Sequence, residues 1–176
     1  MKTFVIATLA ALTPTAALAT GTVDDHVVLR NTLENIGVRV VLNSPTMCDD
    51  ETAGAYASYQ RVVFVCQENA KVMYHDGGWT DYDLDTLRHE AHHVIQDCLD
   101  GGIGDNTFAN LFDDEQDFEE FVRSALTDDQ IDWVVKTYSS EGSDVILNEL
   151  EAFAAAAAVK PSTIAEALSN SCKFQF

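Results

Sequence analysis

His89-Glu90-Ala91-His92-His93 is the stretch of this 176-residue chain whose residue types and spacing most plainly carry chemistry. In a helix, residues four apart stand one above the other, so His89 and His93 present two imidazoles to one side at a separation that suits a single zinc ion. Glu90 sits next round the helix, beside such a metal and poorly placed to ligate it together with both histidines. Its carboxylate can instead take the proton of a water whose pKa the zinc has lowered, as that water attacks a carbonyl polarised by the metal. The same carboxylate can then deliver the proton to the leaving amine. The pattern therefore predicts zinc-dependent hydrolysis with Glu90 as general base. Two other readings compete with it: a metal site without catalysis, and a solvated helix face.

The elements that must hold these residues follow from periodicity. Residues 85–98 carry Leu87, Ala91, Val94, Ile95 and Cys98 at intervals of three and four, with Asp83 or Asp85 as cap and Gly101-Gly102 as stop, so the histidines lie mid-helix. Before it, residues 24–36 have helical spacing closed by Gly37. Residues 38–42 and 61–66 are rich in β-branched side chains and read as strands, and 72–74 gives a third. After it, residues 113–126 are amphipathic and Thr127-Asp128-Asp129-Gln130 is a capping box opening a helix toward Tyr138. Ser143 or Asp144 starts a helix to about Val159, and Pro161-Ser162 opens a last one ending near Cys172. The expected fold is α+β, a small three-stranded sheet with a larger helical part.

The stretch from Leu87 to Gln96 resembles the active-site helix of zincin peptidases. Gln96 and Leu99 stand where the metzincin branch has a glycine and its third histidine, so the resemblance is to the gluzincins, thermolysin-like or minimal. That branch takes its third ligand from a glutamate on a later helix, and Asn148-Glu149-Leu150-Glu151-Ala152 looks like that segment. The resemblance implies a zincin-like fold, one zinc held by His89, His93 and Glu149, and a peptide or protein substrate. Two residues along a helix is about 200° of rotation, so only one of Glu149 and Glu151 can face the metal. Both have apolar neighbours, so Glu151 stays as the alternative, with Asp144 as an outside candidate. An edge strand before the active-site helix binds extended substrate in that clan, and Gly54-Ala55-Tyr56 followed by residues 61–65 fits the place. Phe153 stands where several relatives put Asp or Asn, and no carboxylate is assigned to orient a ligand histidine.

The remaining polar residues receive blander readings. His26 and His75 are expected at the surface, and His92 is expected to point away from the ligand pair, either at the surface or behind the ligands. Tyr138 is read as a core or surface tyrosine, with an oxyanion donor as the functional alternative. The run from Asp100 to Asn106 lacks the closing glutamate of a calcium loop and is read as a turn.

Composition bounds the rest. With 10 Lys+Arg against 29 Asp+Glu the net charge is −19, and no basic cluster offers a footprint for nucleic acid or an anionic membrane. Residues 4–12 form an apolar run after Lys2 and lead to Ala17-Leu18-Ala19, the pattern of a signal peptide spanning residues 1–19. Residues 20–176 are then one exported domain, secreted or periplasmic, and a monomer is expected. Export permits disulfides, and the four cysteines, none in a C-x-x-C pair, are read as Cys48–Cys66 and Cys98–Cys172. Each bridge adds about 2–4 kcal/mol. The alternative to an endopeptidase is a secreted, zinc-stabilised binding protein without catalysis; a third reading is an acidic interaction protein with no metal.

Overall fold

The structure, a computed structural model, describes residues 22–49, 51–68 and 78–172. The expected signal peptide, the strand expected at 72–74 and His75 lie outside the described residues. Helix α1 (Val23–Asn35) leads into strand β1 (Arg39–Leu42), followed by β2 (Gly54–Ala57) and β3 (Val62–Val65). Five helices follow: α2 (Asp81–Leu99), α3 (Glu115–Ala125), α4 (Asp128–Thr137), α5 (Ser143–Ala158) and α6 (Pro161–Ser171). The α+β class with a three-stranded sheet is as expected.

The sheet order is β1-β3-β2, with β1 parallel and β2 antiparallel to β3. The third strand is thus Gly54–Ala57. Of the two segments offered for the edge, β2 is an edge strand and β3 is central. Alternation along β3 sorts its side chains: Val63 and Val65 join the main core, while Val62 and Phe64 pack with Ala57 on the other face.

Helix boundaries follow from their caps. Thr22, Thr80 and Thr127 each accept from a backbone N–H three residues on, and the residue there returns the bond, which satisfies two orphan donors at each start. The cap of α2 is therefore Thr80, with Asp83 as its reciprocal partner and not the cap itself. Asp83 is also held by the Glu68 N–H, a second reason for its burial.

Two apolar clusters flank the centre of the molecule. One joins α1, the sheet, α2 and α6 through Leu29, Leu33, Val63, Leu87, Val94 and Leu168. The other joins α3, α4 and α5 through Val122, Val134, Leu150 and Phe153. Helix α2 packs along α5 between them, so both helices are enclosed on more than one side. The bridges are Cys48–Cys66, beside the sheet, and Cys98–Cys172, which ties the end of α6 to the end of α2. They point to an oxidising compartment. Among the described residues no helix is long and apolar enough to cross a membrane.

Candidate metal centre

Helix α2 is buried along most of its length although much of it is polar, and several of its polar side chains find partners on other elements. Arg88 donates from Nε to the Ala156 carbonyl at 2.8 Å and from Nη1 to His26 Nε2 at 2.8 Å, and it pairs with Asp85. Asp97 accepts from the Tyr56 hydroxyl at 2.6 Å, from Ser58 Oγ and from the Gly104 N–H at 2.8 Å. Expectation fails for His26, and of the two places left open for His92 the surface is not the one it takes. His26 and His92 are both buried, His26 against Arg88 and His92 against Glu151, whose Oε1 accepts from its Nε2–H at 2.7 Å. Each finds a partner that neutralises the cost of burial.

His89 and His93 meet as helical spacing requires, and α5 brings Glu149 to them. Their Nε2 atoms stand 3.1 Å apart, and the Glu149 carboxylate lies 3.4 Å from each. Ligands bound tetrahedrally at about 2.0–2.2 Å stand about 3.3–3.6 Å from one another, the edge of the tetrahedron. Glu149, His89 and His93 are together a buried group that could hold a metal ion. Glu151 faces elsewhere: besides His92 it accepts from the Leu111 N–H at 3.1 Å. Asp144 is exposed in the first turn of α5 and is not part of the group.

Burial and mutual charge set the electrostatics of this group. Burial disfavours a charged His93, yet Glu149 beside it outweighs that and lifts its pKa to about 9. Burial also opposes ionisation of Glu149, but His93 and His89 bring it down to about 2. His89, with the same burial and His93 as a cationic neighbour, falls to about 4. Both oxygens of Glu149 and Nδ1 of His89 nevertheless lack a hydrogen-bond partner.

Glu90 is the other unsatisfied acid. It is fully buried and neither of its oxygens has a hydrogen-bond partner. Burial, with Glu149 adding repulsion, pushes its pKa up to about 8 against the opposing pull of His93 and the Tyr56 backbone. Tyr138 is a core residue; burial first, then the Glu149 and Glu90 carboxylates, push its phenol pKa upward.

One orienting residue escapes the sequence reading. Gln96 Nε2 donates to the Asn148 carbonyl at 3.1 Å, which turns its Oε1 toward His93 Nδ1 at 2.8 Å. The Nδ1–H is thereby engaged and Nε2 is left facing Glu149. The signal available was position, three residues beyond His93 on the same helix face. No such partner reaches His89; the Phe153 ring packs against it with centroids 4.3 Å apart. A cleft of about 240 Å³ opens onto His93 and Glu149 between Phe108, Asn106 and the start of α5. The segment behind its wall is fastened by the Asn106 N–H to Ser58 Oγ and the Ala109 N–H to the Gln96 carbonyl. No protein-family model, curated protein or solved structure matches this chain.

Proposed function

We propose that this chain is an exported zinc-dependent endopeptidase, acting in a secreted or periplasmic setting on peptide or protein substrates. The observation that carries the reading is Glu90, buried with both oxygens unpartnered beside a buried His89, His93 and Glu149 donor set. Leaving a carboxylate so placed is costly unless a ligand or reactant meets it. The signal-like leader and the two bridges support export.

His89 Nε2, His93 Nε2 and Glu149 would hold the zinc, three protein donors being the number that leaves a position open. When bound, zinc supplies Lewis acidity, polarising a peptide carbonyl and lowering the pKa of water toward neutrality. Glu90 takes a proton from the attacking water at a carboxylate oxygen as the new C–O bond forms. It returns that proton to the amide nitrogen as the C–N bond breaks. Gln96 keeps the His93 ring from turning, and the apolar residues around α2 exclude bulk water.

One observation favours a non-catalytic zinc-stabilised binding protein instead: Phe153 leaves His89 Nδ1 with no orienting acceptor. The test is metal analysis of the purified mature protein with a chelator-sensitive peptidase assay on wild type and Glu90→Gln. The expected result is one zinc per chain in both and a fall in kcat of about 10²–10⁴-fold in the variant. Full activity of Glu90→Gln, or a zinc-free wild type, overturns the proposal. Bound zinc with no hydrolysis of any peptide leaves the binding protein.

A further inference from the structure

The cleft that reaches His93 and Glu149 contains a carboxylate that the candidate metal group does not use. Asp144 is exposed and lines this cavity together with Asn106, Phe108, Val145 and Asn148, and no lysine or arginine is among the lining residues. Ser143 Oγ, its chain neighbour, gives Asp144 a hydrogen bond at 3.3 Å. At the inner end of the same cleft stands Glu149, 1% exposed, with neither oxygen in a hydrogen bond. The cavity thus has the Asp144 carboxylate at its exposed end and the His93 and Glu149 donors at its buried end, with amides between and apolar surface along Phe108 and Val145.

We infer that this cleft receives a lysine or arginine side chain of the substrate next to the scissile bond, with Asp144 as the carboxylate that recognises its charge. The inference rests on the peptidase reading. Five residues of α5 separate Asp144 from Glu149, about 7–8 Å along the axis at a rise of ~1.5 Å per residue. A free α-amino nitrogen lies only about 2.5 Å from the carbonyl carbon of its own residue, two bonds away, and cannot reach that far. A lysine ammonium on its four-carbon stem, or a guanidinium, can. Phe108 and Val145 supply the apolar surface that such a stem lies along while its head stays polar. The side-chain carbonyls of Asn106 and Asn148 offer acceptors for the N–H groups that one carboxylate leaves over. At about 240 Å³ the cavity is smaller than the ~300–1,000 Å³ of pockets for drug-sized ligands, and it suits one long side chain. The net charge of −19 raises the local concentration of cationic peptides everywhere on the surface; Asp144 is what gives a position to that preference.

The experiment uses α-N-acetylated peptides that differ only in lysine against norleucine at one position beside the cleaved bond. The ratio of their kcat/KM values is measured for wild type, Asp144→Asn and Asp144→Lys. In parallel, binding of the fluorescently labelled lysine peptide to the Glu90→Gln protein is compared with and without Asp144→Asn. Wild type should favour lysine by about tenfold or more, as a charge-assisted contact implies, with the ratio collapsing toward one in Asp144→Asn. Asp144→Lys should invert it in favour of a glutamate peptide, and binding should weaken by about tenfold with Asp144→Asn. A lysine preference untouched by either substitution overturns the subsite while leaving the peptidase standing. A preference that appears only in peptides with a free α-amine also overturns it. If no peptide is cut but the lysine peptide binds in an Asp144-dependent manner, the subsite stands and the peptidase reading falls.

Discussion

His92 on α2 donates to Glu151 on α5 across 2.7 Å, a second histidine–carboxylate contact between the helices that brought His89 and His93 to Glu149. The two contacts divide the work. Glu151, with no exposed surface, holds His92 and also the Leu111 N–H. Truncation to Ala leaves the buried His92 and the part-buried Leu111 N–H without this acceptor, at a cost of about 2–4 kcal/mol. For a chain of this size that is a fall in Tm of about 5–15 °C. The protein that remains folded should still bind zinc, whereas Glu149→Ala should not. Thermal denaturation and metal analysis of the two variants check this, and a Glu151→Ala protein that stays as stable as wild type but loses the metal sinks the division.

Gln96 gives a prediction about metal affinity. Its side chain is locked between the Asn148 carbonyl and His93 Nδ1, so replacing it with Ala frees the imidazole to rotate. Zinc affinity should fall by about 10–100-fold, the usual cost of losing a residue that orients a ligand. Gln96→Glu keeps the acceptor toward His93 and should recover most of that loss. Competition against a chromophoric chelator measures both. Equal affinity in Gln96→Ala and wild type would falsify the orienting role.

Legibility in the sequence tracked how local each determinant is. Capping at Thr127, proline at the start of α6 and the 3.6-residue rhythm of α2 depend on neighbours a few positions away, and the structure repeats them. Strand β2 has the composition Gly-Ala-Tyr-Ala and owes its pairing to β3 and its small residues to the closeness of α2, neither of which is a local property. His26 and His92 look like surface residues because their partners lie 62 and 59 positions further along. The choice between Glu149 and Glu151 was open for a related reason. Helix α5 packs against α2 and also against α3 and α4, so apolar residues occur all round it and a hydrophobic stripe cannot tell which carboxylate faces which helix.

His26 should make stability fall on the acid side. Its Nδ1–H donates to the Thr22 carbonyl at 2.9 Å, leaving Nε2 to accept from Arg88. Burial holds its pKa below the ordinary 6.5, Arg88 adding to the shift while the Thr22 carbonyl, Asp25 and Asp81 oppose it. A histidine depressed in the folded state contributes stability above its unfolded pKa, and the contribution is lost as pH drops from about 6.5 toward the folded value. Protonation would aim an N–H at the guanidinium. The stability difference between wild type and His26→Gln, measured by denaturant unfolding at several pH values, should therefore shrink between pH ~7 and ~5. A difference that is constant over that range, or that grows toward acid, contradicts the assignment.

Gly54 marks where β2 and α2 come too close for any other residue. A Cβ at this position would stand 2.5 Å from Thr86 Cγ2, 2.8 Å from the Phe64 carbonyl oxygen and 3.2 Å from Glu90 Oε1. Two of these neighbours are rigid. Phe64 belongs to the central strand, and Thr86 is fixed in α2 by a 2.9 Å bond from its hydroxyl to the Tyr82 carbonyl. Gly54→Ala must therefore push β2 away from α2, an overpacking cost of about 1–3 kcal/mol. The same displacement moves the wall against Glu90 without touching His89, His93 or Glu149. Zinc occupancy should be kept while kcat drops by about tenfold or more, since a shift near ~1 Å at a reacting group is that costly. Thr86→Ser removes the methyl group that makes the nearest clash but leaves the Phe64 carbonyl in place. The double variant Gly54→Ala/Thr86→Ser should therefore recover part, and not all, of both stability and kcat, a coupling that a double-mutant cycle reads directly. If Gly54→Ala retains wild-type stability and turnover, β2 is not held against Glu90 as tightly as these distances require.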